Sequence, residues 1–283
     1  MPKKKATHPG RPLKKAAQSA GAPARNAKPA RKTVPLRAAS SRAAKPPKKA
    51  APPAANALPA SKKPARPATA TSRAERLSTI LAALDARFPA ATCALHHDDA
   101  WQLLVATILS AQCTDERVNK VTPGLFAKYP TPRDFAAANQ EELARDIYST
   151  GFFNNKAKSV IGAAKAILER FGGEIPRDID AFLTVPGVAR KTANVVLGTA
   201  YGIASGVVVD THVARISQRL DLTRETAPEK IEQDLMKQVP RDRWILFSHQ
   251  LIHFGRQICE ARKPKCGECP IEKLCYASDK AVL

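Results

Sequence analysis

The first 72 residues contain no aspartate, no glutamate and no phenylalanine, tyrosine or tryptophan, yet they carry 18 lysines and arginines. Lacking aromatics and almost all large aliphatics, this segment cannot bury enough apolar surface to offset the chain entropy lost on folding. Its prolines, as in Lys45-Pro46-Pro47-Lys48-Lys49, favour extended chain over helix. The composition predicts a disordered tail over residues 1–72. The whole chain has 46 basic and 25 acidic side chains, so 28 basic and 25 acidic ones remain for residues 73–283, and the tail holds +18 of the +21 net charge. A polycationic arm of this kind binds nucleic acid through phosphates without reading sequence. A solubilising linker and an organellar transit peptide are the competing readings, the latter disfavoured by the length and the Lys/Pro bias.

Other absences narrow the class further. No apolar run approaches the ~18 residues of a membrane-spanning helix. No stretch alternates apolar and polar residues for the length of a strand, and Val207-Val208-Val209, the one β-like run, is too short to build a sheet. No secretory signal precedes the six cysteines, which sets disulfides aside.

What is present is helical periodicity over some 210 residues, enough for one large or two small domains. Trp101, Leu104, Val105, Ile108 and Leu109 fall on one helix face, as do Ala193, Val196, Leu197, Ala200 and Tyr201. A third stripe, Val160, Ile161, Ala164, Ile167, Leu168 and Phe171, stops at Gly172-Gly173. Thr226 and Glu229 have capping-box spacing ahead of Ile231, Leu235 and Met236. The expected fold class is all-α with short loops.

Four cysteines close the chain, Cys259, Cys266, Cys269 and Cys275, separated by six, two and five residues. Soft anionic ligands so dense near one terminus form a metal cage. Ligand chemistry alone admits both a structural zinc and an iron–sulfur cluster. Cys93 and Cys113 read as small core residues.

Two segments carry chemistry. In Leu183-Thr184-Val185-Pro186-Gly187-Val188-Ala189-Arg190-Lys191-Thr192-Ala193, one helix runs into a Pro-Gly turn and another starts near Arg190. Such a helix–hairpin–helix points turn N–H groups and a positive helix end outward, which makes an anion site. Two cations in a first helical turn oppose the macrodipole, so they ask for an external reason, unless they are only solvated charges. In Val207-Val208-Val209-Asp210-Thr211-His212-Val213, an apolar run delivers Asp210 to the start of a further helix. Asp210 reads as an N-cap, and a carboxylate so held also suits the stabilisation of positive charge.

Taken together, residues 75–280 closely resemble the endonuclease III family of base-excision DNA glycosylases with AP-lyase activity. Residues 185–196 resemble the family's helix–hairpin–helix and place its catalytic lysine at Lys191. Val209-Asp210-Thr211-His212-Val213 resembles the catalytic aspartate segment, and the cysteine gaps match the family's [4Fe–4S] loop. Ala189 departs from the pattern, where a second glycine is more usual; alanine is strained there only if the backbone must be left-handed. The resemblance implies two helical domains flanking a DNA-binding cleft. One is a six-helix domain near residues 93–203. The other, built from residues 73–92 and 204–283, carries the cluster. It further implies a glutamine, Gln112, that fills the gap left in the duplex, a damaged-base contact at Asp115, and an apolar wedge at Phe152. From the residues alone, Gln112 and Asp115 could be a polar helix end and a cap, and Phe152 a core aromatic. Gly187, Ala189 and Arg190 are the expected phosphate contacts of the hairpin. The implied partner is double-stranded DNA with damaged bases, oxidised pyrimidines above all, or abasic sites. The implied enzyme is a monomer of the cytoplasm and nucleoid. A monofunctional adenine glycosylase would occupy the Lys191 position differently and usually continues into a further domain, whereas eight residues follow Cys275. A non-catalytic DNA-binding protein of this fold would need neither Lys191 nor Asp210.

Overall fold

The structure, a computed structural model, describes residues 66–280. Residues 1–65 of the expected tail lie outside the described residues. Ala70, Thr71 and Ser72, also counted in that tail, instead open α1 (Ala70–Arg87). Thr69 caps this helix by accepting from the Ser72 N–H, while the Ser72 hydroxyl accepts from the Thr69 N–H.

Ten further α-helices follow: α2 (Ala100–Leu109), α3 (Asp115–Lys128), α4 (Pro132–Ala137), α5 (Gln140–Asp146), α6 (Phe153–Phe171), α7 (Ile179–Leu183), α8 (Arg190–Tyr201), α9 (Thr211–Arg219), α10 (Pro228–Gln238) and α11 (Trp244–Gln257). No strand occurs among the described residues. Val207, Val208 and Val209 are buried but form no strand, and the Val208 N–H donates to the Ser248 hydroxyl at 3.0 Å. Residues 93–203 contain seven α-helices rather than six. Thr131 caps α4 and Asn139 caps α5, with extended Ala138 between these two short helices. The Thr226–Glu229 capping box does not form either. Pro228 takes the first helical position, its fixed φ moves the cap to Ala227, and Ala227 offers no side-chain acceptor.

Two hydrophobic clusters organise these helices. The first gathers residues from Leu95 to Leu197, with Leu103, Leu104, Leu109, Ile167, Val196 and Leu197 all fully buried. The second joins Ile80 and Leu84 of α1 to Val213, Ile216, Ile231, Phe247 and Leu251 of α9, α10 and α11. Burying a side chain such as Ile80 contributes about 1.5–3 kcal/mol. That burial draws α1 across the chain onto α11, although 156 residues separate Arg87 from Trp244.

One cation lies inside the first cluster. Lys156 is 5% exposed and donates from Nζ to the carbonyls of Leu109 and Thr150, both at 2.7 Å. Burial lowers its pKa, with Cys113 opposing. The bonds tie the C-terminal end of α2 to the 3₁₀ turn Tyr148–Thr150, and so fix the two loops that emerge from them.

Candidate active site

The hairpin between α7 and α8 is anchored by buried Phe182, Val185 and Val188. Its turn closes with Val185 N–H donating to Phe182 O and Val188 N–H to Val185 O, both at 3.1 Å. Gly187 sits at φ +80°, and a Cβ there would lie 3.0 Å from Ser159 Cβ, so both backbone and space call for glycine. Ala189 has φ −88° and ψ 166°, an extended conformation that alanine adopts without strain. It occupies the N-cap of α8 and provides no side-chain acceptor, so the first N–H groups of α8 have no side-chain cap.

Lys191, exposed in the first turn of α8, lines one cleft with Asp210 and Asp115. Asp210 caps α9: its Oδ1 accepts from the N–H groups of His212 and Val213, each at 2.8 Å. Asp115 is held differently. Thr114 caps α3, and the Asp115 Oδ2 accepts from Arg256 Nη2 of α11 at 2.7 Å. Buried His249 completes one wall of the cleft. Burial, with His253 adding to it, pushes its imidazole down to about 4, so the ring is neutral at neutral pH.

Gln112, Phe152, Gly187 and Ala189 line a second groove, of about 390 Å³, which shares Thr107 with the first cleft. Gln112 (φ +53°) and Phe152 (φ +48°) are both left-handed, a conformation that costs a non-glycine residue about 1–3 kcal/mol. The two loops fixed by Lys156 hold them there. Phe152 is 63% exposed, which removes the core reading of this aromatic. Arg190 takes part in neither hollow. Its Nε donates to Glu232 Oε2 at 2.8 Å, and Glu232, 6% exposed at the side chain, also accepts from Asn194 Nδ2 at 2.8 Å. The Arg190 cation is therefore committed to a buried carboxylate.

Cys259, Cys266, Cys269 and Cys275 line a single cavity walled by Ile216, Leu220, Phe254, Ile258 and Ile271, and all four are free thiols. Burial, and behind it repulsion among the cysteines, pushes the Cys269 thiol up to about 11, so a cationic group is what reconciles four thiolates here. Around one zinc the sulfurs would stand about 3.8 Å apart, since Zn–S is about 2.3 Å in a tetrahedron. Among the described residues no three such ligands are gathered for a single ion. Four cysteines lining one cavity fit a group in which each meets its own iron.

Sequence reasoning missed Lys156, Glu232 and the α11 side of the cleft. Lys156 and Glu232 each carried a local signal of burial, falling on an apolar helix face four residues before Val160 and three before Leu235 respectively. The α11 residues had one too: His249, Ile252, His253 and Arg256 recur on a single helical face.

Residues 105–241 match the family model described as HhH-GPD superfamily base excision DNA repair protein, and residues 259–275 match the iron-sulfur binding domain of endonuclease III. The endonuclease III of Synechocystis sp. is 55% identical over 204 residues, 72% of this chain and 93% of that protein. That of Bacillus subtilis is 47% identical over 194 residues, 68% of this chain and 88% of that protein. A solved trapped endonuclease III–DNA covalent intermediate, an estranged-adenine complex, superposes with a TM-score of 0.69 at 43% identity, covering 71% of this chain and 95% of that one.

Proposed function

Since the chain belongs to the endonuclease III family, we propose that Lys191 and Asp210 are the catalytic pair of a bifunctional DNA glycosylase and AP lyase. The observation that carries this assignment is that a lysine from α8 and a carboxylate from the start of α9 line one cleft. A base inside a duplex is out of reach, so the nucleotide turns out into the cleft at a cost of a few kcal/mol. The neutral amine of Lys191 attacks the sugar C1′. The bond to the base breaks and its electrons leave with the base; the C1′–O4′ ring bond then opens, O4′ takes a proton, and the amine, having lost its protons, is left as an imine. Asp210, one oxygen of which is held by backbone N–H groups, stabilises the cationic sugar and accepts the amine proton. The imine acidifies C2′–H, and loss of that proton expels the 3′ phosphate and nicks the strand.

Around this pair, Gln112 and Phe152 are assigned to the space vacated in the duplex and to its orphaned strand. Asp115 is assigned to the base, and the hairpin at Gly187 and Ala189 to the phosphate backbone. Arg190 serves the hairpin from within, through Glu232. The four cysteines hold the [4Fe–4S] cluster, which supplies a cross-link between the end of α11 and the last turns of the chain. The two hydrophobic clusters are read as two domains that meet at the cleft. Oxidised pyrimidines are the proposed lesions, and the enzyme is proposed to act as a monomer in the cytoplasm and nucleoid. No described helix is long and apolar enough to cross a membrane.

Borohydride in the presence of an abasic or lesion-bearing duplex tests the reading: it should reduce the imine and lock protein to DNA. A panel of single-lesion duplexes then fixes the substrate. For the cluster, Cys269→Ser should lower both iron content and soluble yield, because ligand binding and loop folding are coupled. Stoichiometric zinc without iron in anaerobically purified protein would overturn that part.

A further inference from the structure

Helix α11 turns one face to the cleft that holds Lys191 and Asp210, with His249, Ile252, His253 and Arg256 on it. Opposite lies the segment after α1, and the cleft continues there into a hollow of about 320 Å³, with Thr92, Cys93, Ala94 and His253 common to both. That volume falls at the lower end of small-molecule sites. The His253 ring is fixed on two sides. It stacks on Phe88, with centroids 6.2 Å apart and planes 27° from parallel, and its Nε2 lies 3.1 Å from the Thr92 carbonyl. A carbonyl only accepts, so Nε2 carries a hydrogen. These two contacts hold the ring's orientation where it lines the hollow. Nothing in the cleavage chemistry requires this, because neither the amine nor the carboxylate touches it. We propose that this hollow receives the base turned out of the duplex, and that His253 is its stacking platform and hence a specificity-determining residue favouring planar pyrimidines over ring-saturated ones. Pockets for everted bases commonly hold them between aromatic or apolar side chains. The Asp115–Arg256 pair at the same wall supplies polar groups for the edge of the base.

The inference rests on Lys191 and Asp210 being the catalytic pair, and its test separates the two. Single-turnover rates of base release are compared for duplexes holding a planar 5-hydroxylated pyrimidine or a ring-saturated pyrimidine, and of strand cleavage for a preformed abasic site, which has no base to stack. For His253→Ala, the ratio of planar-base release to abasic cleavage should fall about tenfold, within the range of one base–aromatic stack. The corresponding ratio for the saturated lesion should fall less. His253→Leu fills the space against Phe88 without a flat face and should behave as His253→Ala does; His253→Phe should restore the ratio. Unchanged ratios in both His253→Ala and His253→Leu overturn the proposal, as does an equal loss on all three duplexes. Failure of the catalytic reading shows elsewhere: the wild-type protein would then form no borohydride adduct on the abasic duplex.

Discussion

Helices α8 and α9 begin within about 20 residues of each other and reach the same cleft, yet their N-termini are finished in opposite ways. α9 is closed by its own chain: Asp210 satisfies two N–H groups and sets a negative charge against the positive end of the helix. α8 is left open. Ala189 provides no cap, and the first turn carries two cations and no acid. Judged by stability alone, α9 is well made and α8 poorly made. The open end leaves its N–H groups for an outside anion, since an internally capped terminus cannot also serve a phosphate.

The sharpest way to break the comparison is at Lys191. Lys191→Gln should abolish the trapped adduct and lower strand cleavage by a factor on the order of 10³ or more, as expected for loss of a nucleophile. Duplex binding should survive, measured by anisotropy on uncleavable DNA. Lys191→Arg should fail as well, because a guanidinium stays protonated. A wild-type adduct yield from Lys191→Gln would place the nucleophile elsewhere.

At α9, cap and catalyst separate. Asp210→Asn keeps a good cap and should slow base release by about 10²-fold with little change in melting temperature. Asp210→Ala should lose a similar rate and, in addition, about 1 kcal/mol of stability. Near-normal rates in Asp210→Asn together with a large loss of stability in Asp210→Ala would reduce this carboxylate to a cap.

Smaller effects belong to the hairpin that aims α8. Gly187→Ala puts a side chain at φ +80° and against Ser159, and should destabilise by about 1–3 kcal/mol. It should also weaken duplex binding several-fold more than Pro186→Ala. The mildest change makes α8 resemble α9. Ala189→Asp supplies the missing cap and should stabilise the fold by about 1 kcal/mol, while weakening affinity for undamaged duplex through repulsion of phosphate. A gain in both stability and affinity would show that the open terminus is not a phosphate site.

Burial patterns were the most legible part of this chain. Trp101, Leu104, Val105, Ile108 and Leu109 are all buried, as a 3.6-residue period requires. Helix ends were less legible, since Pro228 displaced a plausible capping box. At the site, each chemical segment could be read alone, but a pattern of buried faces does not say which surfaces meet. That Asp115 is pinned by Arg256, 141 residues away, leaves no local trace. Nor does the diversion of Arg190, placed among phosphate contacts by its neighbours, onto Glu232. Ala189 was undecided until its backbone angles placed it in an ordinary extended conformation.

The carboxylate of Glu232 has a mechanical consequence. It belongs to α10 in one hydrophobic cluster, while Arg190 and Asn194 belong to α8 in the other, and Gly206, between them in sequence, would bring a Cβ within 2.0 Å of Glu232 Oε1. Arg190 is 39% exposed at the side chain, so only the Glu232 end is buried, and loss of one such charge-assisted hydrogen bond costs about 1.5–3 kcal/mol. Hinge-like yawning of the two halves must break these bonds, which favour a jaw set before the duplex arrives. Conformational adjustment on binding then falls chiefly on the DNA, whose bending and unstacking vary with sequence and with damage. A stiff jaw of this sort senses how readily a site deforms before any group on the base is touched.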